Sequence, residues 1–154
     1  MAEGYLPDSF GQMAQMPQIL NGFGIDTAIF SRGVGHEVTT TEFIWQAPDG
    51  SEVLTLYMPY GYGTGVNLPS EVNDCVRRIE GLVNKLSLMS TTNYLLLMNG
   101  TDHVGPQPNL SEIIKKVNEK LEGVVLMHST LPVLMDKLKQ GISRLPKFRG
   151  ELRS

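Results

Sequence analysis

The sequence predicts an α/β fold: a largely parallel sheet with flanking helices. Three observations carry this. Short apolar runs suited to strands alternate with longer segments of helical periodicity. Glycine, proline and asparagine clusters fill the intervals, as loops require. One pair of runs is joined by a tight turn signal, so one local hairpin is expected inside an otherwise parallel pattern, whose other connections need crossovers.

In chain order, Gly4–Leu6 reads as a short extended piece. Pro17 suits a first helical turn, and Gly24 ends the helix expected from about Met16 to Phe23. Met13, Met16 and Ile19, at near-helical spacing, read as core. Thr27–Phe30 reads as a strand, followed by strands Glu42–Gln46 and Val53–Tyr57 around the Asp49-Gly50 turn. Residues 59–68, PYGYGTGVNL, form a Gly-rich loop. A long helix is expected from about Pro69 to Met89, with the stripe Val72, Val76, Ile79, Val83 and Leu86. Asn93–Met98 reads as a buried strand, and 99–108, NGTDHVGPQP, as a polar loop. Asn109 and Glu112 suit a capping box for a helix carrying Leu110, Ile113, Ile114, Val117 and Leu121. Val124–Met127 reads as another strand, Thr130 as the cap of a last helix to about Gln140, and LPKFRGELRS as an extended tail.

Length and composition bound the function. The chain has 154 residues, 41% hydrophobic and 19% charged, enough for one domain or one piece of a larger one. No apolar run approaches the ~18 residues of a membrane-spanning helix. Residues 1–7 lack the basic and apolar regions of a secretory leader, which leads us to expect a cytoplasmic protein. A single cysteine, Cys75, excludes a disulfide framework and a Cys-rich zinc site; its place on the helix stripe makes it a core thiol. The net charge is −3. Residues 1–108 carry 4 basic and 11 acidic side chains, residues 109–154 9 basic and 5 acidic. The basic end places its lysines on amphipathic helices, a solvated face rather than a nucleic-acid patch. Neither nucleic acid nor membrane is expected as a partner.

Ligands of parallel α/β folds bind where loops leave the carboxyl ends of strands. Asp8 follows the first strand, Arg32 the second, and Tyr60 and Tyr62 the strand ending at Tyr57. Asp102 and His103 follow NYLLLM, and His128 follows VVLM. Two carboxylates, an arginine and two tyrosines on one rim have the makeup of a sugar site. Each residue also has a plain structural reading. Asp8 and Asp102 suit turn capping. Arg32 suits a surface ion pair, Tyr60 and Tyr62 suit packing, and His36 and His128 suit loop or cap positions. Nucleotide-binding glycine loops, the GxSxG elbow and HExxH are all absent.

The segment GYLPDSFGQMAQMPQILNGFGIDTAIFSRGV goes further. Asp8-Ser9-Phe10-Gly11, then Met16-Pro17-Gln18-Ile19-Leu20, then Arg32 resembles the catalytic core of glycoside hydrolase family 38, the retaining α-mannosidases, in particular the bacterial, mannosylglycerate hydrolase-like branch. The likeness continues through FIWQAPDGSEVLTLYMPYGYG, LLLMNGTDHVGPQPNL and LPKFRGELRS, covering essentially the whole chain.

The resemblance implies part of a seven-stranded-type β/α barrel. Residues 1–154 would be a single partial domain, the C-terminal portion of the N-terminal catalytic barrel. It implies an α-mannosidase acting with retention through a glycosyl-enzyme, as part of a longer zinc-dependent enzyme. Asp8 matches the nucleophile and a zinc ligand, and Asp102 the general acid/base. Phe10 and Arg32 match the mannose subsite, with Tyr60 or Tyr62 near the substrate. The family's His-x-Asp zinc motif is absent, since His36, His103 and His128 are each followed by other residues two places on. The remaining Zn2+ ligands are expected outside this chain. The implied partners are an α-mannoside and either the rest of the catalytic chain or a second copy, because a partial barrel exposes sheet edges and apolar surface. The competing reading is a non-catalytic carbohydrate-binding or inactive fragment. A metal-dependent deacetylase, of similar barrel type, needs a histidine pair at metal spacing that the three histidines do not supply.

Overall fold

The computed structural model describes residues 3–141 and 144–153. Five strands form one sheet: β1 (Gly4–Leu6), β2 (Thr27–Phe30), β3 (Glu42–Gln46), β4 (Glu52–Tyr57) and β5 (Lys147–Arg149). Among the described residues four helices accompany them: α1 (Met16–Gly22), α2 (Val72–Ser87), α3 (Leu110–Asn118) and α4 (Leu131–Lys139). The spatial order is β1-β2-β4-β3-β5. All pairings are parallel except β3–β4, the expected hairpin. Its turn closes with the Ala47 amide donating to the Ser51 carbonyl at 2.9 Å, while the Asp49 carboxylate accepts from the Ser51 amide at 2.9 Å. The predicted α/β class with a mostly parallel sheet is what forms.

The side-chain period of two divides the core. Ala28, Phe30, Phe43, Trp45 and Val53 share one face with Leu20 of α1 and Leu152 of the tail. Ile29, Ile44, Leu54 and Leu56 face the other way, onto Met135 and Leu138 of α4. Every residue of β2 is buried, as a central parallel strand requires. Phe30 meets Trp45 edge-on at 5.8 Å, and the indole N–H of Trp45 donates to the Gly150 carbonyl at 2.8 Å, tying the tail to the sheet. Gly4 has a packing reason. A Cβ there would meet the Thr27 carbonyl oxygen at 2.7 Å and Leu20 at 2.8 Å. A third core, between α2 and α3, holds Cys75, Ile79, Leu110, Ile113 and Val117. Cys75 is thus the core thiol expected, and burial pushes its pKa up.

Several local expectations fail, each for a physical reason. Residues 93–98 and 124–127 run through without joining the sheet. Tyr94, Leu96 and Met98 pack on the α4 side while Leu97 packs on the α2–α3 core, so the strand-like alternation is present without a ladder. The backbone of Leu126 is instead gripped by the Asn118 side chain, which donates to its carbonyl at 2.9 Å and accepts from its amide at 2.8 Å. The Asn109–Glu112 capping box does not form. Asn109 donates to Ser70 Oγ, and Glu112 pairs with Lys116 at 2.6 Å. The Thr130 side chain makes no cap bond. The side chain that does cap is Glu71, accepting from the Asp74 amide at 2.7 Å, so α2 begins at Val72 rather than Pro69. Met13, which precedes α1, and Ile19 on α1 are exposed, leaving Met16, Pro17 and Leu20 to pack. The tail is extended through Arg153 as β5 and the Gln12–Leu152 bridge; Ser154 lies outside the described residues.

Glu42 is read from the sequence only as a strand residue, yet it is 1% exposed. Its carboxylate accepts from Ser90 Oγ at 2.9 Å, the Thr91 amide at 2.8 Å and Thr91 Oγ1 at 3.1 Å. A buried carboxylate costs several kcal/mol to desolvate unless so satisfied. Glu42→Ala is expected to destabilise the chain by about 2–3 kcal/mol, because it strands buried donors. Urea unfolding followed by Trp45, the single tryptophan, measures this; a loss under about 0.5 kcal/mol sinks the anchoring role.

Lys147 of β5 pairs with Glu52 of β4 at 2.8 Å, and that lysine holds the Glu52 carboxyl below its usual range. A depressed carboxyl pKa contributes stability above the unfolded value of ~4.3 and loses it as pH falls through the folded value. Lys147→Met is therefore expected to lower the unfolding free energy at pH 7, read from the urea midpoint, by at most about 1 kcal/mol for so exposed a pair. The difference from wild type should shrink towards pH 3. An equal difference at both pH values rules out the ion pair as its cause.

Candidate functional site

The site begins where β1 and β2 end. Beyond them the turn Pro7–Gly11 lies against Ser31–Gly33. The Ser31 hydroxyl donates to the Pro7 carbonyl, and the Arg32 Nε donates to Asp8 Oδ1 as an ion pair. Gly33 has φ +65°, and a Cβ there would drive into the Gly11 backbone and stand 2.6 Å from the Phe10 carbonyl carbon. One turn therefore rests on the other only if residue 33 is glycine. Just beyond, the Gln12 amide donates to the Leu152 carbonyl at 2.7 Å, and the Leu152 amide donates back at 2.9 Å. The far end of the chain thus closes the Asp8 turn from outside. The Arg32 guanidinium lies 5.1 Å from the centre of the exposed Phe10 ring.

The second wall comes from the loops 59–68 and 99–108. The Tyr62 hydroxyl donates to Asp102 Oδ2 at 3.0 Å. A cleft of about 380 Å³ opens between the walls, with Asp8, Tyr5 and Pro7 on one side and Tyr62, Met98 and Asp102 on the other. Asp8, Arg32, Tyr62 and Asp102 form one electrostatic group. The Asp102 hydrogen bond is the largest cause raising the Tyr62 pKa, followed by desolvation and the charges of Asp102 and Asp8, with Arg32 opposing. Asp8 above all, then Tyr62, raises the Arg32 pKa.

Of the residues singled out from sequence, Asp8, Asp102 and Tyr62 meet in the cleft, and Arg32 and Phe10 stand at its edge on the Asp8 side. Tyr60 does not join them. It is 51% exposed and borders a separate small crevice beside Thr41 and Leu86. His36, His103 and His128 are exposed, and His103 adopts φ +59°. Sequence reasoning missed Tyr5, whose phenol lines the cleft and whose pKa is raised first by burial, then by Tyr62 and Asp102. The available signal was parity. Gly4 and Leu6 pack towards α1, so Tyr5 faces the opposite side of the sheet.

Among the described residues, no group of three or more His, Cys, Asp or Glu could hold a metal ion. Zinc takes three or four protein ligands. Asp8 and Asp102 do not amount to that set, so the described residues do not fit a complete zinc site.

An α/β sheet that sets two carboxylates across an open cleft, flanked by an arginine and phenols, has the makeup of a glycoside hydrolase site. Comparison with known proteins gives the particular family. Residues 1–151 match the profile described as "Glycosyl hydrolases family 38 N-terminal domain", and the chain belongs to that family. It is 30% identical to the provisionally named mannosylglycerate hydrolase of Halalkalibacterium halodurans, over 98% of this chain and 18% of that protein. It is 29% identical to alpha-mannosidase G of Dictyostelium discoideum, over 97% of this chain and 14% of that protein. The crystal structure of an alpha-mannosidase from Enterococcus faecalis superposes with a TM-score of 0.92 at 28% identity, covering 99% of this chain and 18% of that one. The chain thus spans less than a fifth of the length of these relatives.

Gly33→Ala tests the close approach of the two turns. The strained φ and the collision with Gly11 are expected to cost about 1–3 kcal/mol, read as a lowered urea midpoint. A midpoint within error of wild type shows that the turns can separate freely.

Proposed function

We propose that this chain forms the carboxylate-bearing part of a retaining α-mannosidase site. The observation that supports this most directly is the cleft that joins Asp8 and Asp102 with Tyr62, at the ends of the strands and loops that carry them. Family membership and the resemblance of the D-x-F-G turn and its arginine support the same reading.

In this reading Asp8 attacks the anomeric carbon, and the glycosidic C–O bond breaks as Asp102 gives its proton to the leaving oxygen. Water then attacks the anomeric carbon as Asp102 takes its proton, the bond to Asp8 breaks, and the sugar is released. Arg32 holds the Asp8 carboxylate in one orientation, and Tyr62 does the same for Asp102. Phe10 offers an apolar face to the sugar ring beside them. The family is zinc-dependent, but the described residues do not supply the ligand set, so no step above runs through a metal. Whole-enzyme activity, the mannoside substrate and association with further catalytic-domain sequence are parts of the same proposal, as is a cytoplasmic location.

A second reading is a carbohydrate-binding or inactive segment, and the incomplete metal-ligand set is what favours it. Hydrolysis of 4-nitrophenyl α-mannoside, with and without zinc, separates the two. Turnover by this chain joined to the further catalytic-domain sequence, abolished by Asp8→Asn and lowered by Asp102→Asn roughly 10²–10⁴-fold, is the expected result. A folded, mannose-binding chain that gives no turnover even when so joined establishes the second reading.

A further inference from the structure

The loops that carry Tyr62 and Asp102 belong to no ladder, yet they are fastened to each other and to α2. Arg78 lies on α2, outside the cleft. Its Nη1 donates to the Asn67 carbonyl at 2.9 Å, and its Nη2 to the carbonyls of Val66 at 2.8 Å and Thr64 at 3.2 Å. Three carbonyls of the 59–68 loop thus converge on one guanidinium, and Arg78 forms no ion pair among the described residues. A planar fork of five donors can span such a set, whereas a lysine ammonium is a point charge.

The second fastening runs from this loop to the next. Gln107 pairs with both backbone groups of Leu68, accepting from its amide at 3.0 Å and donating to its carbonyl at 2.8 Å. Asn99 donates to the Gly65 carbonyl at 2.6 Å and to Gln107 Oε1 at 3.2 Å, while the Gly65 amide donates to the Met98 carbonyl at 2.8 Å. Displacing residues 64–67 therefore displaces 98–107 as well.

We infer that Arg78 is a positioning residue for the Tyr62–Asp102 pair: it holds the 59–68 loop, and through Asn99 and Gln107 the 99–108 loop, as one body on α2. The catalytic meaning of this coupling rests on the function proposed above; the coupling itself does not.

Hydrogen exchange of the 154-residue chain, read by mass spectrometry, tests it on wild type, Arg78→Lys and Arg78→Met. Arg78→Met is expected to speed exchange about tenfold or more in 59–68 and also in 99–108, to which Arg78 donates no hydrogen bond, while β2 and β4 keep their protection. Arg78→Lys is expected to give most of the same loss. A rise confined to 59–68, or an equal rise in β2 and β4, overturns the inference. If Arg78→Met does not fold, Gln107→Leu breaks the same coupling from the other loop, and the same two segments must loosen together for the inference to stand. Where the chain turns over 4-nitrophenyl α-mannoside, Arg78→Met is expected to lower kcat about tenfold with KM within about twofold. Absence of turnover even with the further catalytic-domain sequence defeats the functional reading and leaves the exchange result to decide this one.

Discussion

The site depends first on the register of β1 against β2. Gly4 lies opposite Ala28, Tyr5 opposite Ile29 and Leu6 opposite Phe30. The spacing of 24 residues that holds along this ladder is also the spacing between Asp8 and Arg32. Two residues past each strand end, the backbone is still nearly in step, and carboxylate and guanidinium face each other as the next pair would. A one-residue slip would turn Phe30 from one core face to the other and separate Asp8 from Arg32 together. The burial of all of β2 makes that slip prohibitive. The same strand pairs on its other side with β4, bringing Phe30 opposite Tyr57 and launching the loop that carries Tyr62 from the same end of the sheet.

Magnitudes decide what holds the Asp8 turn. Asp8 and Arg32 are each about half exposed, and exposed ion pairs contribute ~0–1 kcal/mol. Their pairing therefore follows from the backbone arrangement rather than causing it. The stronger constraints are steric and internal: the glycine contact at residue 33, the Ser31 bond to Pro7, and the Gln12–Leu152 bridge with Leu152 fully buried. The arginine is thus free to act on charge and orientation at the carboxylate, with little share in stability.

Sheet and cores were largely legible in the sequence because burial writes periodicity. Thr27–Phe30, Glu42–Gln46 and the run ending at Tyr57 alternate or saturate with apolar residues, and the α2 and α3 stripes recur at three and four. Asp8, Arg32 and Asp102 were legible as polar residues just past apolar runs, and more sharply through the family likeness. What was not legible depended on partners distant in sequence. NYLLLM and VVLM have the composition of strands, but a strand also needs a neighbour's amides and carbonyls, and here side chains such as Asn118 supply the bonds instead. Glu42 looked like an ordinary strand residue because its partners lie 48 and 49 residues away. Tyr60 and Tyr62 sit two residues apart in a loop, where the alternation that separates strand faces does not apply, so only coordinates distinguish the one in the cleft.

The two walls of the cleft therefore differ in how they are built. Asp8 stands on a turn that extends a parallel ladder and is pinned by glycine packing and a backbone bridge. Asp102 stands on a segment whose backbone relies on side chains: Thr64 accepts from the Met98 amide at 3.3 Å, Thr92 from the Tyr94 amide at 3.2 Å, and Asn99 and Gln107 join the loops. Segments held this way open locally at lower free-energy cost than ladder-bonded ones. Double displacement at a sugar carbon depends on the separation of the two carboxyl groups, about 5–5.5 Å in retaining enzymes. With one carboxylate fixed by the sheet, that separation is set mainly by the other wall. Changes in its side-chain fastenings then act on the separation of the two carboxyl groups, on which the function proposed above depends, whereas changes of similar size near Asp8 meet the resistance of the sheet.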